Sequence, residues 1–153
     1  MKASRFRALA ALLLSCFLGA CPKKTSVWVQ SGSSADRLSF EFGRSRGHPD
    51  PISIGFLRVD RCEELRATPG VAPPVARATW DLESIPGTDV RLSSLRYGQT
   101  PEGYREMHPA SPLERPGCYV VAIAGTGQTG FEINASGEVV ELDDAEVARR
   151  MRP

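Results

Sequence analysis

From Leu38 onward the apolar side chains recur at every second position, in short runs cut off by glycine or proline. Leu38, Phe40 and Phe42 alternate with Ser39 and Glu41, and Ala78, Trp80 and Leu82 alternate with Thr79, Asp81 and Glu83. A period of two puts one set of side chains on one face of an extended strand, so these runs read as half-buried strands. Fourteen glycines and twelve prolines are spread along the chain and leave no interval for a long helix. The pattern predicts an all-β fold: an antiparallel β-sandwich of about seven to nine short strands over residues 38–142.

The remaining runs fit the same plan. Val27-Trp28-Val29 reads as a first edge strand, ended by the Ser31-Gly32-Ser33-Ser34 break. Residues 43–51 read as a polar turn region. Ile52, Ile54 and Phe56 alternate, but Leu57 and Val59 continue on the other face, which asks for a bulge near Gly55 or burial of both faces. Residues 63–66 read as one helical turn, 68–74 as a proline-rich loop, 90–97 and 104–107 as strands. Residues 118–124, CYVVAIA, are apolar on both faces, as in a central strand. Residues 125–130 read as a turn, and 134–137 as the turn into a last strand at 139–142. The tail 143–153 reads as a short helix, with Asp143 as cap, Glu146 three residues later, and Arg149 and Arg150 at the end that favours cations.

The first twenty residues are of another kind. Lys2, Arg5 and Arg7 precede an uncharged run from Ala8 to Ala20. That run is 13 residues, short of the roughly 20 a spanning helix needs, and the order is that of a secretory signal peptide. Its end, Leu18-Gly19-Ala20-Cys21, resembles the lipobox of bacterial lipoprotein precursors. The resemblance implies cleavage before Cys21, acylation of that cysteine, and membrane attachment through the lipid. The residue after Cys21 is Pro22 rather than Asp, which by the same resemblance favours the outer membrane, facing the periplasm. Residues 21–37 then read as a lipidated tether, with Lys23 and Lys24 beside the headgroups.

Removing the leader leaves 133 residues, enough for one domain with a core. Three of the 19 basic residues go with it, leaving 16 against 18 acidic, a net of −2, which gives no electrostatic case for nucleic acid. Besides Cys21 the exported chain keeps Cys62 and Cys118. An oxidising compartment favours a disulfide between them; a pair of free buried thiols is the alternative, and without a CxxC or a nearby histidine a metal site is disfavoured. The order Cys62…Trp80…Cys118, with the entry Pro116-Gly117-Cys118-Tyr119-Val120, resembles Ig-like and fibronectin-like modules. That resemblance implies a bridge between the two sheets with the indole packed on it.

Several short motifs have a plainer reading than the one they invite. Gly125-x-Gly127-x-x-Gly130 has the GxGxxG spacing of dinucleotide sites, but Phe131-Glu132-Ile133 after it reads as a strand rather than the phosphate-binding helix, so a hairpin connection is expected. His48-Pro49-Asp50 matches the tripeptide of J-domain co-chaperones but sits between strands and reads as a turn. His48 and His108, the two histidines, lie in polar connections with no GxSxG nearby. Glu141, Asp143, Asp144 and Glu146 lack the DxDxDG pattern of a calcium loop and read as a helix start. No cofactor or metal is expected. Tyr97 and Tyr104 flank a polar turn containing Gln99; the tyrosines suit cross-strand packing, and the turn is the candidate contact surface. These residues leave two functions in view: a lipid-anchored envelope module of non-enzymatic binding or structural role, contacting an envelope protein, or a small periplasmic enzyme or enzyme inhibitor. A ligand carrier would need an apolar cavity.

Overall fold

The computed structural model describes residues 25–66, 78–124 and 127–152. The leader, Cys21 to Lys24, the 68–74 loop and Gly125 lie outside the described residues. Within them the chain forms ten strands: β1 (Ser26–Val29), β2 (Ser39–Ser45), β3 (His48–Pro49), β4 (Phe56–Arg61), β5 (Trp80–Ser84), β6 (Ser94–Arg96), β7 (Tyr104–His108), β8 (Gly117–Ile123), β9 (Gln128–Ile133) and β10 (Val139–Leu142). A 3-10 turn (Ala35–Arg37) links β1 to β2, and one α-helix, α1 (Asp144–Arg150), follows β10. The fold is all-β and antiparallel.

The strands divide between two sheets. In the four-stranded sheet β1, β3 and β6 all pair with β2; the six-stranded sheet runs β10-β9-β8-β4-β5-β7. Every pairing is antiparallel. Alternation fixes what faces inward. Phe40 and Phe42 of β2, Leu57 and Val59 of β4, and Trp80 and Leu82 of β5 are all fully buried. The sheets meet ring to ring: Phe40 from one lies 5.9 Å from Phe131 of the other, and Phe131 stacks on Tyr119 at 5.3 Å. β8 lies between β9 and β4, with Tyr119, Val121 and Ile123 in the main core and Val120 buried on the opposite face. That two-sided burial is why its sequence is apolar throughout.

Five local readings change. The strand read over 90–97 is confined to the three residues of β6, with Leu92 before it only bridged to Ile52. The sandwich starts at Ser26, because Val27 and Val29 belong to the core, so most of the stretch read as tether is β1 and its turn. Residues 43–51 are not only turn: β2 runs on to Ser45 and hairpins into β3. Gln128 to Gly130 are strand, paired with Val120, Val121 and Ala122. Ile52, bridged to Leu92, and Ile54, in the core, precede β4 rather than belonging to it; the strand begins at Phe56, with Phe56 outward and Leu57 inward.

The helix docks on the outer face of the larger sheet. The Asp143 side chain accepts a hydrogen bond from the Glu146 amide at 2.7 Å, which fixes the start of α1. Val147, 3% exposed, lies over Gly130, where an added Cβ would overlap the valine Cγ2. The last glycine of the GxGxxG spacing is thus the seat of a helix, in a β8–β9 hairpin rather than a nucleotide site. Gly130→Ala is expected to cost about 1–3 kcal/mol in urea unfolding. Val147→Ala should be milder, and the double variant should recover much of the Gly130→Ala loss.

Cys62 and Cys118 form a disulfide, with Cα atoms 5.4 Å apart. Its position corrects the immunoglobulin-type expectation. β4 and β8 are neighbours in one sheet, and the Cys62 amide donates to the Cys118 carbonyl at 2.9 Å, so the bond ties adjacent strands rather than two sheets. It packs beneath α1 with Val120, Val147 and Met151, whereas Trp80 lies in the core on the other face.

Two ends follow from the registers. Ser26 pairs with Gly43 and Leu57 with Ile123, and Gly127 closes on the Thr25 carbonyl; this is the end at which the chain enters β1. At the other end lie Cys62, Cys118 and the bridge between Ser34 and Glu138.

Candidate contact surfaces

The tyrosine turn is the first surface to consider, and its two rings are turned into the protein. Tyr104 is 6% exposed and its hydroxyl donates to the Ile54 carbonyl at 2.8 Å. Tyr97 meets Trp80 edge-on at 5.1 Å, and its hydroxyl donates to the Ser111 carbonyl at 2.7 Å. Of the three residues singled out, only Gln99 is exposed. The third tyrosine, Tyr119, accepts the Glu114 amide at 2.7 Å. Both tyrosines of the turn therefore serve packing.

Burial raises the ionisation of all three tyrosines above the ordinary phenol range, against the lowering effect of their backbone hydrogen bonds. A folded-state pKa above the unfolded value of about 10 gives stability that is complete below that pH and is lost as pH rises. The chain is accordingly expected to show no normally titrating tyrosine in a 295 nm absorbance titration, and to unfold as the phenols ionise. A tyrosine ionising near pH 10 in the folded protein would contradict the packing.

The histidines stand at opposite ends. His48 is exposed on β3, and His108 lies opposite Asp81 at the far end of β7. His108 does share a shallow cleft of about 360 Å³ with Arg61, Ser111 and Glu114. However, Ser111 is used through its backbone, its amide on Thr79 and its carbonyl on Tyr97, and no hydrogen bond joins its hydroxyl to the imidazole. A serine nucleophile needs such a base in contact. The acids near the helix start are also occupied. Glu141 accepts from the Thr129 hydroxyl at 2.7 Å and from Arg46 at 2.6 Å, and Asp143 is the cap. They border a polar cleft of about 590 Å³ with Ser26 and Trp28 at the chain-entry end. No cluster of three or more metal-ligating side chains occurs among the described residues.

A surface not anticipated from the sequence is the outer face of β4, β5 and β7. The helix roofs the β8–β10 half of this sheet, and no described residue roofs this half. Phe56 is 42% and Met107 55% exposed there, around a shallow hollow of about 340 Å³ that also includes Arg58, Asp81 and Glu83. Met107 projects from a bulge in β7, where Asp81 pairs with His108 and Leu82 with Glu106. Arg58 holds Asp60 through both carboxylate oxygens at 2.9 Å, and Arg105 holds Glu83 at 2.6 Å. Asp81 is left with Arg58 at 4.0 Å. Burial lifts its carboxyl above the usual aspartate range, against the lowering effect of Arg58. The sequence did carry a signal for this face: the phase slip at Phe56-Leu57 marks an aromatic ring pointing away from the core.

No protein-family model, curated protein or solved structure matches the chain.

Proposed function

We propose that the protein is a lipid-anchored module of the bacterial cell envelope, held by acylated Cys21 in the outer membrane facing the periplasm, and that it binds an envelope partner without catalysis of its own. The observation that carries the reading is the leader itself, with its cations, its short apolar run and Leu18-Gly19-Ala20-Cys21 in order. The distance to the fold suits it. From Cys21 to Ser26, where β1 begins, is five residues, at most about 17 Å of chain. The seven residues of β8 span about 23 Å, so the sandwich is longer than its leash and cannot invert on the bilayer. Two acyl chains suffice for stable anchoring. The separated histidines support a binding role over the enzyme alternative.

The test is the intact mass and N-terminal peptide of protein recovered from membranes. A chain starting at Cys21 with added acyl mass, and release of Cys21→Ser from the membrane fraction, are expected. A chain starting at Met1 with an unmodified thiol overturns the reading. Turnover of a small substrate that His108→Ala abolishes would instead favour a periplasmic enzyme.

A further inference from the structure

We propose that the open half of the larger sheet, on β4, β5 and β7, is the docking face for a basic segment of a protein partner, with Asp81 receiving a lysine or arginine side chain between Phe56 and Met107. The inference rests on the binding-module reading and names its site and the chemistry of its partner.

Three observations converge on this face. The first is where the exposed apolar side chains are. Among the described residues the large exposed hydrophobics are Phe56, Ile85, Met107 and Val140, and the first three belong to β4, to the end of β5 and to β7. Scattered single hydrophobics are ordinary on a surface; Phe56 and Met107, from two different strands, line one hollow together, with Ile85 just past the end of β5. The second is the bare half-face itself. On the β8–β9 side α1 sits on Gly130 and its Val147 packs in one cluster with Val120, while nothing among the described residues covers Phe56 or Met107. The third is charge. Two arginines and three carboxylates share the face, and the arginines are committed: Arg58 to Asp60 through both oxygens, Arg105 to Glu83. Asp81, half-buried, shares Arg58 with Asp60 at the longer distance of 4.0 Å, so the face carries one carboxylate more than its arginines. A carboxylate so placed is complemented by an incoming cation.

The walls suit a cationic side chain on a protein. An aromatic ring such as Phe56 attracts an ammonium or guanidinium over its face. The thioether of Met107 adapts to the aliphatic stem of lysine or arginine. A protein segment laid along the hollow also reaches the backbone of the edge strand β7, which a free amine does not.

The chain offers an internal reporter. It has three methionines, of which Met1 belongs to the leader, Met107 to this face, and Met151 packs beside the disulfide. Membrane-derived protein in detergent, carrying ¹³C-methyl methionine, is titrated with acetyl-Gly-Arg-Gly-Lys-Gly-amide through the millimolar range, with acetyl-Gly-Glu-Gly-Asp-Gly-amide as control. A saturable shift of the Met107 methyl with the basic peptide only, a still Met151, and affinity at least tenfold weaker in Asp81→Asn are expected; Asp81→Glu should retain most of the binding. An unchanged Met151 resonance in Asp81→Asn shows that the variant is folded. A silent Met107, equal response to both peptides, or undiminished binding by Asp81→Asn overturns the proposal. The mass of the Cys21 peptide, read on the same preparation, reports separately on the anchoring.

Discussion

Trp80→Ala is expected to bring the protein to the edge of unfolding. The indole is fully buried on β5, opposite Val59 of the next strand and in an edge-to-face contact with Tyr97, and its Nε1 donates to Glu106 at 3.3 Å. Removing a buried tryptophan costs about 3–5 kcal/mol, through lost transfer energy and the cavity left behind. Domains of this size hold about 5–15 kcal/mol in total. Glu106 is solvent-exposed, so the loss is one of packing rather than of a stranded polar group. With urea slopes of about 1–3 kcal/mol per M, the midpoint should fall by at least about 1 M. Trp28, the other tryptophan, remains as a fluorescence probe. A shift below about 1 kcal/mol would mean that the indole is not where the fold needs it.

Removing the disulfide is expected to have a similar effect by a different route. Cys62 and Cys118 are separated by 56 positions, and closing a loop of that length in the unfolded chain is worth about 4 kcal/mol on the entropic model. The double variant Cys62→Ala/Cys118→Ala should therefore unfold at much lower urea, and dithiothreitol should weaken the native protein comparably while leaving the variant unchanged. Insensitivity of the native protein to the reductant would indicate free thiols. Because the bond lies under α1, its loss should also loosen Val147 and Met151, visible as earlier amide exchange in the helix than in β2.

Strands with one buried face were legible in the sequence because alternation reports burial directly. β2 and β5 follow Phe40/Phe42 and Trp80/Leu82, and the apolar run at Cys118 gave the central β8. The helix was legible from Asp143 and Glu146, whose bond is local in the chain. The order of strands was not, because pairing is a long-range choice. Nothing near Cys62 says that β4 will lie beside β8 rather than across the core from it, and an arrangement with the indole on the bridge has the same spacing. The tyrosines were ambiguous for a related reason. Their hydroxyls find Ile54 and Ser111, 50 and 14 positions away, and a partner so distant leaves no mark beside Tyr104 or Tyr97. The open face is not legible in the alternation, because that pattern identifies strands by their inward residues, and Asp81 and Glu83 look like any solvent-facing alternates of β5.

The path of α1 has a practical consequence for anyone attaching cargo to this chain. The helix leaves β10 beside Gly130 and runs back along the sheet until Arg150 reaches Glu132 and its carbonyl accepts from Arg66, near the disulfide. Thr25 enters at the opposite pole, against Gly127. A passenger fused after Arg152 would thus be carried a full strand length from one fused before Thr25, with a rigid spacer between them.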